Sequence, residues 1–433
     1  MTTIRVEHLA RIEGHGGITV ELDGGSMKRV EFDIFEGVRL LEALVVGRDC
    51  EEVAPVLSRI CAICSASHVL TSLKATEAAL GVQVTPQTES LRELLLRGEN
   101  IQSHALHFFC LALPDYLGYP GIVALAAERP ADVELGLRLK KLGNLIQEIV
   151  GGRAVHPVNA VVGGFASLPS TEQLVELRHA LDQGRADAEE AVELAASLPS
   201  LQLGRSPTAY AAGVAGEGYG YYGIGQAVLL DGTRRTVFAP SEYRRLTNER
   251  PVAHSHARYS AFEGKPFMVG ALARLAIRGD RLGAPARRAL QRLGLELPGE
   301  NPLDNNKAQL VELVEDVEFA LRVVDELLER GLRPEAPRAF RRRAGQGVAL
   351  TEAPRGLLVH SYAYDEQGRL VSADVVTPTA INAASIEERF RAAIGQLNGC
   401  PPEELADRLS IVARAYDPCL SCSVHVLQAR HEG

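Results

Sequence analysis

This sequence predicts an α+β fold, mainly helical, in which a long-helix bundle carries small β-hairpins or sheets near its N- and C-terminal ends. Three observations carry that expectation. Apolar residues alternate with polar ones in two segments close to the ends of the chain, they recur at helical spacing in three long central segments, and no Pro/Gly/Ser linker long enough to separate domains interrupts them. Residues 1–433 are therefore read as one catalytic domain, with no internal repeat.

The first alternating segments, 17–22 and 30–34, flank Asp23-Gly24-Gly25, a glycine turn that predicts a hairpin. From residue 90 to 112, Leu91, Leu94, Leu95, Ile101, Ala105, Phe108 and Phe109 fall on helical spacing, and Pro114 is expected to close the helix. A second helix is expected from Ser170, which stands at capping-box distance from Gln173, with Leu174, Leu177, Leu181, Ala188 and Val192 on one face. A third runs over 305–330 on Leu310, Leu313, Val317, Leu321, Val324 and Leu328 and stops at Gly331. The middle of the chain thus reads as a helix bundle. Beyond Arg341-Arg342-Arg343 the pattern returns to strands, 357–364 and 370–376, around Asp365-Glu366-Gln367-Gly368.

Composition narrows the function. With 46% apolar residues over 433 positions the chain can bury a large core. A net charge of −9 with both signs interspersed offers no cationic footprint for nucleic acid. No apolar run approaches the roughly 20 residues of a membrane span, and no leader pattern opens the chain, so a cytoplasmic location is expected. Seven cysteines, an odd number thinly spread, are unlike a secreted disulfide framework.

Two Cys-x-x-Cys pairs concentrate the chemistry: Cys61 and Cys64, and Cys419 and Cys422. Two residues between ligands let both sulfurs of a turn face one ion. The same spacing would serve a four-cysteine zinc site or two separate redox dithiols. Zinc knuckles, however, place their pairs about 15–20 residues apart, whereas these lie near opposite ends of the chain. Closing so long a loop costs about 5 kcal/mol of chain entropy, so the fold itself must bring the pairs together. His68 and His425 each follow a pair within about one turn. Arg355, between Pro354 and Gly356, is placed to hold a fixed cation against an anion, or equally to make a surface ion pair.

Together these stretches resemble the signature regions of nickel–iron hydrogenase large subunits, in the family's order: Arg11-Ile12-Glu13-Gly14-His15, the Arg-x-Cys-x-x-Cys-x-x-x-His run at 59–68, Gly152-Arg153-Ala154-Val155-His156-Pro157, Glu352-Ala353-Pro354-Arg355-Gly356, and 417–425. The likeness extends through 103–119 and 263–271 and is greatest to the α subunits of soluble NAD(P)-linked sulfhydrogenases, the bidirectional cytoplasmic type. It implies the large-subunit fold. It also implies that Cys61, Cys64, Cys419 and Cys422 bind nickel, with Cys64 and Cys422 bridging to an iron that carries two cyanides and one carbon monoxide.

By the same resemblance Glu13 takes the proton from a terminal thiolate, Cys419, and His68 donates to a bridging sulfur. Arg355 lies over the nickel and the cyanide edge, Thr379 donates to a cyanide, and Asp115 and Asp417 surround Arg355. Glu42, His425 and the carbonyl of Val375 match a magnesium site. Hydrogen is a very weak acid, so a metal must bind it while a nearby base accepts its proton.

Cys50, Cys110 and Cys400 are isolated, so electrons require a partner. The family supplies a small subunit with iron–sulfur clusters, and flavin and iron–sulfur diaphorase subunits that reach NADP or NAD; sulfur reduction is a side activity. Nickel-insertion proteins and a maturation endopeptidase complete the set. The family's mature chain ends at the last motif's histidine, which makes 426–433 an expected cleavable tail. Other readings of the same residues are a metal-free relative, resembling the quinone-pocket subunit of respiratory NADH dehydrogenase that lacks the cysteines, and a hydrogen-sensing regulatory subunit.

Overall fold

The computed structural model describes residues 2–24, 26–216, 218–397 and 399–424. Its main elements, in chain order, begin with three antiparallel strands, β1 (Thr2–Val6), β2 (Gly16–Asp23) and β3 (Ser26–Ile34), in the order β1-β2-β3. The expected hairpin is β2-β3, turning at Gly24 with φ 55°. Ile18, Val20, Val30, Phe32 and Ile34 are its buried face.

Helix α1 (Ser65–Leu80) follows, then α2 (Pro86–Ala105), α3 (Pro130–Gly151) and α4 (Thr171–Ser197). The backbones of α2 and α3 approach so closely that a Cβ on Gly143 would stand 2.5 Å from the Gly98 carbonyl oxygen. Glycine is what permits that contact. The Ser170–Gln173 capping box opens α4 as the sequence predicts: Ser170 Oγ accepts from the Gln173 N–H at 3.2 Å, and Gln173 Oε1 accepts from the Ser170 N–H at 2.8 Å.

The first long helix departs from expectation at both ends. It starts at Pro86, capped by Thr85, whose hydroxyl accepts from the Thr88 N–H. It also does not stop at Pro114. After Ala105 it widens into a π-helical stretch, Leu106–Ala112, and continues as Leu113–Leu117 to Gly118 at φ 74°. Pro114 lies in the first turn of that last segment, directly after the π-helical stretch, where its fixed φ fits a helix start.

The middle of the chain is more than a helix bundle. Strands β4 (Ala209–Ala215), β5 (Ile224–Asp231), β6 (Arg234–Phe238) and β7 (Phe267–Met268) form a mixed sheet ordered β7-β4-β5-β6, with β7 parallel to β4. Helix α5 (Ala271–Arg278) follows it. Helix α6 (Asp304–Arg330), the expected third helix, then packs against α2 and α4 and ends at Gly331.

The expected second hairpin is two strands of a three-stranded sheet, β8 (Gly345–Ala353), β9 (Gly356–Tyr364) and β10 (Leu370–Val376). Helix α1 lies on it; a Cβ on Gly347 would sit 2.1 Å from the Ala75 carbonyl oxygen. Helices α7 (Pro378–Gln396) and α8 (Pro402–Ala415) lead to the last cysteine pair. No single described helix is long and apolar enough to cross a membrane.

Candidate metal centre

Each cysteine pair sits where a helix begins. Cys61 ends the 3-10 turn Ser58–Ile60 in an extended conformation, Cys64 caps α1, and the Cys64 N–H donates to Cys61 Sγ at 3.2 Å. Cys419 caps the short helix Leu420–Ser423, which contains Cys422. The N-terminal motif joins the C-terminal one through a parallel bridge between Glu13 and Cys419, and the Leu420 N–H donates to the Glu13 carbonyl at 2.9 Å.

The pairs converge as the spacing predicts. Sγ–Sγ distances are 3.3 Å for Cys61–Cys419, 3.4 Å for Cys64–Cys422 and 2.7 Å for Cys419–Cys422, and all four sulfurs lie within 4.8 Å of one another. All four residues are buried. Burial opposes charge on Cys61, yet the neighbouring thiols and the Arg355 cation draw it well below the ordinary thiol range. Cys64 is pushed well above that range, first by its bond to Cys419. Four soft donors this close cannot all ionise without a cation among them, and thiolate sets of this kind select soft or borderline transition metals.

Arg355 occupies the two-residue turn between β8 and β9, where Ala353 pairs with Gly356. Its Nε donates to the Asp417 carbonyl at 2.8 Å and Nη2 to Asp417 Oδ1 at 2.9 Å. Nη1 is buried and has no hydrogen-bond partner among the described residues. The charges of Asp417, Cys419, Cys61 and Cys64 hold the guanidinium well above its ordinary range despite its burial. A donor left over beside a sulfur cluster fits an anionic ligand of the metal.

Glu13 reaches the cluster from the other side. Its carboxylate accepts from the N–H and hydroxyl of Ser421. Burial, then the neighbouring Cys419 charge, push its pKa up to about 7 against the opposing Ser421 bonds. His68 lies in the first turn of α1 with Nδ1 3.1 Å from His360 Nε2; His360 in turn bonds Tyr362, whose hydroxyl donates to Ser72 Oγ at 2.9 Å. The Thr379 hydroxyl oxygen accepts from the Cys419 N–H at 3.0 Å. That bond places Thr379 beside the thiolates and leaves its O–H hydrogen to another acceptor.

One expectation changes. Asp115 does not join Asp417 on Arg355: it bonds Arg11 and takes Nε and Nη2 of Arg414 at 2.7 and 2.9 Å, because the helix carrying it continues past Pro114 toward those two side chains. Of the residues expected to hold magnesium, Glu42 and Val375 meet: the Val375 N–H donates to the Glu42 carboxylate at 2.5 Å. Burial pushes that carboxyl up to about 8. His425 and the 426–433 tail lie outside the described residues.

Other polar groups at the centre escaped the sequence reading. Glu99 is fully buried under the start of α1, accepts from the Ala66 and Ser67 N–H groups, and is pushed up to about 7, chiefly by burial. The Thr377 hydroxyl donates to the Cys422 carbonyl at 3.1 Å. The available signal for Glu99 was a carboxylate on the apolar stretch of α2; Thr377, flanked by Val376 and Pro378, gave none.

Comparison with known proteins agrees with this geometry. The profile described as nickel-dependent hydrogenase matches residues 39–135 and 236–425, and a HoxL-like profile matches residues 3–36. The chain is 39% identical over 427 residues to the alpha subunit of sulfhydrogenase 1 of Pyrococcus furiosus, covering 98% of each. It is 34% identical to a vhu F420-non-reducing hydrogenase protein of Methanocaldococcus jannaschii, covering 91% of this chain and 99% of that protein.

Among solved structures, an NAD+-reducing NiFe hydrogenase in the H2-reduced state superposes with a TM-score of 0.86 at 28% identity, over 98% of this chain and 100% of that one. A NiFeSe hydrogenase from Desulfomicrobium baculatum shares the fold with a TM-score of 0.77 at 22% identity, over 98% of this chain and 100% of that one. With its four converging thiols, the chain belongs to the nickel-dependent hydrogenase family and is the catalytic large subunit of a nickel–iron hydrogenase.

Proposed function

We propose that this chain splits and forms hydrogen reversibly in a soluble cytoplasmic enzyme whose electrons pass through a small subunit with iron–sulfur clusters, then flavin-bearing diaphorase subunits, to NADP or NAD. The observation that carries the reading is the four-sulfur cluster faced by a buried guanidinium nitrogen with no hydrogen-bond partner among the described residues. When bound there, nickel and an iron bearing two cyanides and one carbon monoxide supply the electron-rich Lewis-acid chemistry that polarises hydrogen.

The chain's own residues handle protons and position. Cys61, Cys64, Cys419 and Cys422 would hold the nickel, and Cys64 and Cys422 would also serve the iron. The Cys419 sulfur receives the proton and passes it to Glu13, the partly buried carboxylate bridged to the Cys419 segment. Arg355, fixed by Asp417, offers Nη1 to the anionic ligand edge, a charge-assisted donor already oriented before reaction. Thr379 would donate to a cyanide, and His68 would steady one of the cysteine sulfurs. Asp115 acts indirectly, by joining Arg11 of the N-terminal motif to Arg414. A magnesium ion held by Glu42, the Val375 carbonyl and His425 would secure the C-terminal segment, after an endopeptidase removes 426–433 and nickel-insertion proteins load the site.

A partner for electrons follows from the cysteines: Cys50, Cys110 and Cys400 join no group able to hold a metal among the described residues. The NAD+-reducing neighbour and the sulfhydrogenase relatives support a pyridine-nucleotide acceptor, with sulfur reduction as a side activity. Elemental analysis and infrared spectroscopy of the purified complex, with hydrogen-dependent reduction of NADP and NAD, test the reading. Nickel, iron and bands of bound diatomics are expected, whereas zinc alone would sink it.

A further inference from the structure

Arg355 can serve the sulfur cluster only if its two-residue turn is held still. A turn that short exposes its carbonyls and has few internal bonds of its own, so something outside must fix it. In this fold that something is another buried arginine. Arg274, on α5, is fully buried and engages all five of its N–H donors. Nη1 donates to Glu352 Oε2 and to the Ala353 carbonyl, each at 2.9 Å, and Nη2 donates to the Pro354 carbonyl at 2.9 Å. These acceptors are the three residues immediately before Arg355.

The remaining donors anchor Arg274 itself: Nε and Nη2 grip the two oxygens of Glu312 on α6 at 2.6 Å each. Glu312 is held in turn by His104 at 2.8 Å and by the Tyr219 hydroxyl at 2.5 Å. The other Glu352 oxygen accepts from the Gly213 N–H of β4 at 2.5 Å. One turn earlier on the helix side, Gly270 meets the Arg355 carbonyl: a Cβ there would stand 3.2 Å from that oxygen. The turn is thus tied to α5, α6 and β4 at once.

We propose that Arg274 is the positioning residue that aims Arg355 at the sulfur cluster. This rests on the role given to Arg355 above. A lysine could not substitute, because a point ammonium with three donors cannot reach two backbone carbonyls and two carboxylates in one plane. Releasing the Ala353 and Pro354 carbonyls lets the turn shift, and a displacement of about 1 Å from a productive geometry can cost about a hundredfold in rate.

A double-mutant cycle in the complete, matured complex tests it, using Arg274→Lys, Arg355→Lys and the double variant. Arg274→Lys should keep nickel and iron, lower kcat about tenfold to a hundredfold with little change in KM for hydrogen, and move the diatomic infrared bands in the same direction as Arg355→Lys. In the Arg355→Lys background the same change should cost no more than about twofold, since Arg274 acts through Arg355. Glu352→Gln, which weakens one arm of the grip, should show the same non-additivity at smaller size.

Additive losses, or an unimpaired Arg274→Lys, would overturn the proposal. Loss of metal from both Arg274→Lys and Glu352→Gln would overturn it too, by placing the grip in assembly rather than aiming. A fully active Arg355→Lys would instead overturn the role of Arg355 itself, an outcome distinct from additivity in an impaired background.

Discussion

Arg274 and Arg355 are both buried, yet their surroundings treat them oppositely. Every N–H of Arg274 is matched to an acceptor of this chain, whereas Arg355 directs two donors to Asp417 and leaves Nη1 unmatched beside four sulfurs. The contrast extends outward. Around Arg274, the charges of Arg97, Glu93, Glu312, Asp316 and Glu352 close on one another; around Arg355, thiols crowd together with too little positive charge to ionise fully. Removing a charge from water is costly unless partners replace the water. A closed set of partners is structure. An open one is a place prepared for something the chain does not itself supply.

The comparison breaks most sharply at the cysteines. Cys64→Ser removes a soft donor from the open region and should abolish nickel and iron binding and all hydrogen turnover while the chain still folds, because no charge in the closed region is touched. Metal analysis and circular dichroism check this, and a metal-loaded Cys64→Ser would refute the shared centre. Next in size is Glu13→Gln, which keeps shape and hydrogen bonding but removes the base. The metals and the infrared bands should survive while turnover falls about 10²–10⁴-fold. Near-normal hydrogen oxidation would sink the relay and leave the ligands standing.

Away from the grip of Arg274 on the Arg355 turn, the closed region should answer in stability rather than chemistry. Arg97 binds Glu93 at 2.9 Å and Asp316 at 2.6 Å and stacks on Tyr221, wholly out of solvent. Arg97→Met strands two buried carboxylates, and breaking a buried pair in this way costs about 3–5 kcal/mol. Thermal denaturation should show the loss, while the molecules that remain folded keep their metal and their turnover per nickel. Equal loss of turnover per nickel would mean that the two regions are not separable.

The same division explains what the sequence disclosed. The cysteine pairs were legible because chelating spacing is local, and the hairpins and long helices because their periodicity is. Ser170 announced α4 through its own capping box. The sheet of β4 to β7 was not legible: 209–215 is rich in alanine and glycine, and those residues fit helix, strand or turn until the tertiary contacts choose. Pro114 misled because a proline can open a helical segment as well as close one. Asp115 misled for a related reason, since its partner depends on how far that helix runs. Arg274 was invisible because nothing in Leu272-Ala273-Arg274-Leu275 says that its acceptors lie at 312 and at 352–354.

The smallest effect probes the closed region from within, by pH. Asp316 is under two opposed influences: burial and the nearby Glu312 raise its pKa, while Arg97 and Asn100 lower it, and burial, the largest, leaves it near 7 against an ordinary 3.8. A carboxyl raised on folding binds its proton more tightly in the native state. Its contribution to stability is therefore full at or below about pH 4, declines as pH rises, and is gone above about pH 7. Asp316→Asn cannot titrate, so the melting temperature of the parent protein minus that of the variant should fall across that interval and level off on either side. The absolute offset between the two carries no information, because an amide also changes the hydrogen bonds with Arg97 and Asn100. Only the slope does. Parallel curves between pH 4 and 7 would mean that the Arg97 ion pair outweighs burial and keeps Asp316 charged across that interval.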